Sequence, residues 1–269
     1  MKRVNVTAVK KVVRRRKKTP VQRPKLTLNC DLGESFGTWN MGHDEEVMPL
    51  IDCANIACGF HGGDPTVMAR TIKLARRHRV ELGAHVSYPD LQGFGRRSMK
   101  LDPNELVDLL QYQISALDGM ARTHGTRVSY VKPHGALYND MITNEVLLET
   151  VMRAAASWYR SVDLVMLATN NDKRAVTLGI NYGVRVRFEA FADRGYTNAG
   201  QLLPRSKPGA LLDCEAAVAQ ALAIRDGNPR SAHGRKLAMV PDTLCVHGDT
   251  PGAVAMIKAI RAAFDDTKP

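Results

Sequence analysis

Short apolar runs alternate with longer stretches of helical periodicity from residue 26 to the end of the chain. Short runs bounded by Gly, Pro and polar residues are typical of buried strands, whereas apolar residues recurring every three or four positions indicate amphipathic helices. Seven segments fit the strand pattern: 26–29, 54–57, 80–84, 128–132, 164–168, 184–188 and 243–246. Strands that alternate with helices predict βαβ units around a parallel sheet, so the expected fold class is α/β.

Several helix starts are marked by a capping side chain followed by proline, which loses no hydrogen bond at the first helical position. The dipeptides of this form are Asp64-Pro65, Asp102-Pro103 and Thr250-Pro251. For Asp64 an N-cap role is therefore favoured over catalysis. Helices are predicted over 65–78, 103–123, 144–158, 171–178, 213–224 and 251–263, with a shorter one near 44–51. No repeat or linker divides the pattern, which predicts a single domain over 26–269.

Polar side chains cluster where six of the seven predicted strands end. In a parallel β/α barrel the carboxyl ends of all strands meet on one face, so these groups are predicted to share one pocket. The predicted catalytic residues are Asp31, Glu34, His61, His85, Lys132 and His134.

The residue types in this set suit acid–base chemistry. Asp31 and Glu34 lie just past a buried strand, where desolvation and mutual repulsion can shift the pKa of a carboxyl group. Lys132 can stabilise an oxyanion, and His134 can carry a proton. The alternatives are a helix-capping turn for the carboxylates and an ordinary surface loop for His61.

Arginine can clamp a substrate carboxylate through two parallel hydrogen bonds. Arg96 and Arg97 end a long loop and suit this task, although either could instead form an ion pair with a helix. Structural ion pairing is also the alternative for Asp193 and Arg194. The predicted substrate-binding residues are Arg96, Arg97, Glu189, Asp193, Arg194, His247 and Asp249.

A metal site is an open alternative, because Asp31, His61 and His134 at three strand ends could form an Asp-His-His set. Such a site would make the chain a metal-dependent deacetylase or amidohydrolase acting on carbohydrate or lactam substrates. The sequence contains neither a G-x-x-x-x-G-K-[ST] loop nor a G-x-G-x-x-G fingerprint. Any ATP is therefore expected to bind elsewhere.

The net charge of +11 belongs to one end of the chain. Residues 1–25 carry eleven Lys and Arg and no acid, which leaves 27 basic and 27 acidic residues in the rest. The arm 1–25 is expected to be a disordered, solvated tail. Its alternatives are a nucleic-acid or membrane-surface contact, which would suit a non-catalytic adaptor, a targeting peptide, or a start codon assigned too early. No nucleic-acid contact is expected for the neutral remainder.

The five cysteines are odd in number and form no C-x-x-C pair. This usage favours reduced thiols in a cytoplasmic protein over a disulfide framework. No stretch long enough to span a bilayer as a helix lacks charge, so no membrane association is predicted.

Six strings in order closely resemble the lactam-utilisation protein family, whose bacterial members are known as the A subunit of 5-oxoprolinase. The strings are N-C-D-L-G-E-S-F-G, A-N-I-A-C-G-F-H, G-F-G-R-R, Y-V-K-P-H-G-A-L-Y-N, E-x-F-A-D-R-x-Y and C-V-H-G-D. The resemblance runs from about residue 26 to the last helix, and the arm has no counterpart in it. Gly62 and Val86 depart from the pattern, which has alanine and proline there.

The resemblance implies a seven-stranded parallel, TIM-like β/α barrel, similar to the glycoside hydrolase/deacetylase-like barrels. The implied activity is conversion of 5-oxoproline to L-glutamate, with ATP as co-substrate through two partners, the B and C subunits. A homo-oligomer is left open. In this reaction Asp31 or His61 is expected to act as base, Lys132 to stabilise the oxyanion and His134 to act as acid.

Overall fold

The computed structural model describes residues 26–248 and 252–266, and seven parallel strands form a closed barrel within them. The strands are β1 (Thr27–Leu32), β2 (Cys53–Ala57), β3 (Glu81–Val86), β4 (Val128–Pro133), β5 (Asp163–Leu167), β6 (Val186–Phe191) and β7 (Thr243–Cys245). Each strand pairs with the next, and β7 closes the barrel against β1. The predicted α/β class and TIM-like barrel are confirmed. The arm 1–25, Asp249 and the helix start at 250–251 lie outside the described residues.

Helices follow the strands and cover the barrel. They are α1 (Asp44–Val47), α2 (Pro65–His78), α3 (Pro103–Thr123), α4 (Gly135–Thr143), α5 (Glu145–Ala156), α6 (Lys173–Tyr182), α7 (Cys214–Arg225) and α8 (Ala253–Asp265), with a 3-10 helix, Met48–Leu50, after α1. Asp64 caps α2 by accepting hydrogen bonds from the N–H groups of Thr66 and Val67 at 2.8 and 2.9 Å. Asp102 caps α3 in the same way. Both predicted caps are confirmed.

One helix was missed and one strand was predicted at the wrong residues, whereas the helix predicted over 144–158 is confirmed as α5. The single helix predicted over 144–158 is preceded by an unpredicted helix, α4, which starts directly after β4. Its N-cap residue, His134, makes no side-chain capping bond, and Gly135 is its first residue, so the usual sequence signals are absent. The strand predicted over 184–188 instead occupies Val186–Phe191, which puts Glu189 inside β6 and not after it.

The main hydrophobic core lies between the strands and the helices. Helix α3 shows how the pattern builds it: the residues buried along one face recur every three or four positions and include Leu106, Leu110, Ile114, Leu117 and Ala121. Burying a Leu or Ile side chain stabilises a fold by about 1.5–3 kcal/mol. None of the helices in the described ranges combines the length and hydropathy needed to cross a membrane.

A small apolar cluster, separate from the main core, is formed by Cys53, Tyr130 and Val165. The ring of Tyr130 occupies the space that a Cβ on Gly83 would need, which explains a glycine in the middle of β3. The Tyr130 hydroxyl donates a 2.6 Å hydrogen bond to Oδ1 of Asn55. The aromatic ring therefore fills the middle of the barrel, and its hydroxyl begins a polar layer above it.

Candidate active site

A cavity of about 410 Å³ opens at the carboxyl ends of the strands. Eight of the predicted site residues line it: Asp31, Glu34, His85, Arg96, Lys132, His134, Arg194 and His247. His61, Glu189 and Asp193 are buried behind this lining, where each contacts a residue that faces the cavity. The structure thus brings eleven of the thirteen predicted residues together.

Arg97 is the described residue that does not join the group. Its Nε donates hydrogen bonds to the Asp90 carboxylate at 2.9 and 3.1 Å, and its guanidinium forms an ion pair with the same group. Arg97 therefore forms a structural ion pair, as the alternative predicted. Its partner is a carboxylate of the loop, Asp90, and not a residue of a helix. Arg96, the other candidate, lines the cavity.

Lys132 lies at the base of the cavity between two carboxylates. Its Nζ is 2.9 Å from Oδ1 of Asp31 and 2.9 Å from Oε1 of Glu189. Burial alone would lower the pKa of Lys132, but Asp31, Cys245 and Glu189 outweigh it and raise the pKa well above its usual value. Lys132 is therefore an ammonium group at neutral pH, so it can donate hydrogen bonds but cannot accept a proton.

Asp31 keeps its charge for a complementary reason. Burial would raise the pKa of Asp31, yet His85 and Lys132 hold the pKa well below its usual value. Asn55 Nδ2 also donates a 2.7 Å hydrogen bond to Oδ1 of Asp31. The side chain is thus an oriented carboxylate that faces the cavity.

Glu189 is fully buried and holds Lys132 from the other side. Its second oxygen accepts a 3.0 Å hydrogen bond from the hydroxyl of Tyr138. Tyr138 lines the cavity and was not predicted as a site residue. It lies on α4. The sequence feature that could have identified it is its position four residues after His134 in the string Y-V-K-P-H-G-A-L-Y-N.

Three histidines and one glutamate form a compact group beside this ion pair. The rings of His61 and His134 are stacked, with centroids 3.8 Å apart. His134 Nδ1 lies 2.9 Å from His85 Nε2, and Glu34 Oε1 lies 3.1 Å from His61 Nε2. Burial and then the neighbouring histidines lower the pKa of both His61 and His134 well below the usual value, so these rings are neutral.

This group differs from the metal set predicted from sequence. One ligand atom from each of Glu34, His61, His85 and His134 lies within 4.8 Å of the others. Asp31 stands beside the group, with its Oδ2 3.3 Å from His85 Nε2. The structure therefore joins His61 and His134 to Glu34 and His85, and leaves Asp31 with Lys132.

His247 and Asp193 form a second pair on the opposite wall. His247 Nδ1 is 2.8 Å from Oδ2 of Asp193, which is fully buried. Burial would lower the pKa of His247, but the charge of Asp193 and the bond to it raise the pKa above its usual value. The ring also stacks on Phe191 at 5.1 Å. The cavity therefore has one histidine that favours its protonated form.

Arginines surround the outer part of the cavity: Arg96, Arg194 and the unpredicted Arg205. Arg194 is held by the backbone, because its Nε donates to the carbonyl of Ala210 at 3.1 Å and its Nη2 to that of Leu203 at 2.6 Å. Structural ion pairing was the alternative for both Asp193 and Arg194: Asp193 does form an ion pair, with His247, whereas Arg194 donates to these carbonyls. An anionic small molecule would meet positive charge on entering.

Known proteins are similar to this chain over nearly all of its described residues. A family model described as the LamB/YcsF family matches residues 26–268. A protein named as the A subunit of 5-oxoprolinase, from Pseudomonas fluorescens (strain Pf0-1), is 53% identical over 244 residues, which is 90% of this chain and 98% of that protein. A protein of the same name from Chromohalobacter salexigens is also 53% identical, with the same coverage. The solved structure of a lactam utilization protein from Thermus thermophilus superposes with a TM-score of 0.84 at 39% identity, covering 90% of this chain and 96% of that one.

Proposed function

The chain belongs to the LamB/YcsF family, and from this premise we propose that it is the ring-opening A subunit of a 5-oxoprolinase. In the proposed reaction, 5-oxoproline and water give L-glutamate, and ATP is hydrolysed by the complex formed with the partner B and C subunits. The observation that carries the proposal is that relatives named as this subunit of 5-oxoprolinase are matched over nearly their full length, so the whole barrel with its pocket is shared.

The geometry supports this function because each part of 5-oxoproline finds a complementary group. Its carboxylate is attracted by the arginines around the outer part of the cavity, of which Arg194 is the most firmly held. Its ring carbonyl can accept a hydrogen bond from the Lys132 ammonium at the base, in exchange for one of the two longer contacts of that ammonium, 3.3 Å to Asn29 Oδ1 or 3.3 Å to Cys245 Sγ. Hydrogen bonds and positive charge aimed at the carbonyl oxygen stabilise the negative charge that develops there when water attacks.

Asp31 is the better candidate for the base. It lines the cavity as a carboxylate, whereas His61, the other candidate, lies behind His134. A base must reach the attacking water directly or through one further water molecule. We therefore assign Asp31 to orient the water and accept its proton.

His247 replaces His134 as the proposed acid. Both ring nitrogens of His134 are engaged, one by His85 Nε2 and the other by the carbonyl of Phe94, each at 2.9 Å. His247 faces the cavity, and Asp193 favours its protonated form. We assign His247 to give a proton to the ring nitrogen as the carbon–nitrogen bond breaks, with Asp193 as its positioning residue.

The proposal places the reaction in the cytoplasm, where ATP is available. In support of a reducing compartment, all five cysteines are free thiols, and four of them are buried. ATP is assigned to the partner subunits because the sequence of this chain carries neither of the two phosphate-binding patterns sought above.

The test is glutamate formation from 5-oxoproline and ATP by the chain mixed with the B and C subunits. Wild type is expected to be active, and Asp31→Asn to lose at least about a hundredfold in kcat, the scale of losing a general base. Glu81→Gln, a carboxylate change at the far end of the barrel, is the matched control and should retain activity. A mixture that assembles yet forms no glutamate would refute the 5-oxoproline assignment.

A further inference from the structure

The buried group of Glu34, His61, His85 and His134 has no role in the proposed reaction. The four side chains come from different parts of the chain: the turns after β1 and β2, and the ends of β3 and β4. All four are buried, and their ligand atoms converge within 4.8 Å. Burying polar groups costs free energy unless each one is satisfied, so this convergence requires an explanation.

Backbone carbonyls fix the hydrogen positions on two of the rings. His85 Nδ1 lies 2.9 Å from the carbonyl oxygen of Lys132, and His134 Nε2 lies 2.9 Å from that of Phe94. A carbonyl oxygen can only accept, so both of these nitrogens carry hydrogen. If both rings are neutral, the form in which histidine binds a metal ion, the other nitrogens, His85 Nε2 and His134 Nδ1, hold lone pairs, and they lie 2.9 Å apart. Two lone pairs at this distance repel each other unless a cation is shared between them.

A shared proton would satisfy this nitrogen pair but not the wider group. Glu34 Oε1 lies 3.1 Å from His61 Nε2, 3.6 Å from His134 Nδ1 and 4.0 Å from His85 Nε2. Ligands bound tetrahedrally at about 2.0–2.2 Å from a zinc ion lie about 3.3–3.6 Å from one another. The four measured separations, from 2.9 to 4.0 Å, bracket that range. One ion could therefore be bound by all four atoms once a ring of the stacked pair His61 and His134 turns, so that both nitrogens point to the ion.

Two further features match a metal centre. Histidines that bind metals usually donate their second N–H to a carbonyl or carboxylate, and His85 and His134 both donate to carbonyls. At the base of the cavity, close to the group, the Lys132 ammonium already lies between the carboxylates of Asp31 and Glu189, and Glu34 adds a third carboxylate, whereas the arginines lie farther out. A divalent cation would offset the excess negative charge.

We propose that Glu34, His61, His85 and His134 bind one divalent transition-metal ion of the zinc class. Imidazole nitrogens with a single carboxylate suit Zn²⁺ and its neighbours, whereas Mg²⁺ and Ca²⁺ prefer oxygen ligands. Three of the four ligands line the cavity, so the ion faces the space where substrate binds. This inference stands on the geometry of the group and does not depend on which lactam or amide is the substrate.

The test measures metal binding to the full chain, not activity. The purified protein is stripped with a chelator and titrated with Zn²⁺ and with Co²⁺, and the bound metal is counted by elemental analysis. We expect one ion per chain, visible cobalt absorption typical of nitrogen ligation with four or five ligands, and an increase in Tm on loading. A wild-type chain that binds no stoichiometric ion at micromolar free metal overturns the proposal.

Variants then test the ligand set. His85→Gln and Glu34→Gln should each weaken affinity at least tenfold, whereas His43→Gln should not, because His43 is exposed and pairs with Glu46 far from the cavity. Unchanged affinity in the folded His85 variant overturns the assignment. Should the wild type bind no ion while NMR shows a protonated imidazole at neutral pH, the shared proton explains the pair and the metal site is refuted.

Glutamate formation is measured on the same preparations. Metal bound by a chain that forms no glutamate with its partners would refute the proposed function and leave the metal site standing. Glutamate formed by a wild-type chain that takes up no ion would refute the metal site and leave the proposed function standing.

Discussion

The two ends of the barrel each hold a cation between two carboxylates, and they differ in what surrounds them. At the carboxyl end, Lys132 lies between Asp31 and Glu189. At the amino end, Arg187 binds Glu81 at 2.9 and 3.1 Å and Asp163 at 2.8 Å. Arg187 and Glu189 are neighbours on the same face of β6, so one strand contributes to both groups.

The guanidinium at the amino end uses its planar fork on both partners and also stacks on Tyr130, 4.9 Å from the ring centroid. The ammonium at the carboxyl end is a point charge that borders a cavity, where a small molecule can reach it. A cation between two acids is therefore not by itself an active site. Access to a cavity makes the difference.

Replacing the cation at the carboxyl end should have the largest effect on activity. Lys132→Met removes the proposed donor to the substrate carbonyl, and kcat should fall by about 10²–10³ or more. It also leaves Asp31 and Glu189 without their shared cation, which typically costs about 3–5 kcal/mol of unfolding free energy. Urea unfolding is measured alongside glutamate formation, and activity is expressed per folded molecule. Activity within tenfold of wild type would show that the two ends are alike in function.

A smaller effect is expected at the opposite wall of the cavity. His247→Gln should lower kcat about a hundredfold, because a proton donor is lost. In wild type the pKa of His247 is raised by Asp193, so the acid form persists above the usual histidine range, and activity should fall as pH rises through that raised pKa. Asp193→Asn removes the charge that opposes burial, so the alkaline limb of the pH profile should move to lower pH. An unmoved limb would exclude His247 as the acid.

Arg96 and Arg97 are adjacent on the long loop, so the effects of replacing each one can be compared directly. Arg96→Gln should raise KM for 5-oxoproline roughly tenfold, in line with the loss of about 1.4 kcal/mol from one charged contact. Arg97→Gln should leave KM unchanged, because its guanidinium is bound to Asp90 outside the cavity. Equal effects of the two variants would mean that the loop, and not direct contact, controls binding.

Replacing the cation at the amino end should change activity least. Arg187→Met should lower the unfolding free energy by a few kcal/mol, since Glu81 and Asp163 lose their common partner. Both carboxylates are partly exposed, so water should solvate them and reduce this loss of unfolding free energy. Activity per folded molecule should stay within about twofold of wild type, measured below the unfolding transition. A specific loss of kcat would show that the two ends are coupled along β6.

The sequence predicted the carboxyl end better than the amino end. Asp31, Lys132 and His247 follow or end apolar strands, and this position in a parallel barrel directs them to one face. Glu81 and Arg187 lie at strand starts, where charged residues look like ordinary surface positions. Only closure of the barrel brings them together, and closure is a property of the whole sheet.

Roles within the site were harder to predict than membership. His134 was expected to act as acid, but a backbone carbonyl and His85 engage both of its nitrogens, and no side-chain pattern reveals such partners. In the sequence Arg96 and Arg97 look equivalent. The conformation of the loop decides that Arg97 is the one that binds Asp90. The turn after β1 likewise decides that Glu34 comes close to all three histidines, whereas Asp31 contacts His85.

The ring of Tyr130 and the ionic layer below it close the barrel floor, and none of these residues borders the cavity. Small molecules therefore reach Lys132 from the carboxyl end, where the cavity opens. If the partner subunits dock over that opening to deliver the energy of ATP, the same contact that excludes bulk water also retains the product. Under the proposed function, glutamate would then leave after the partners separate from the chain.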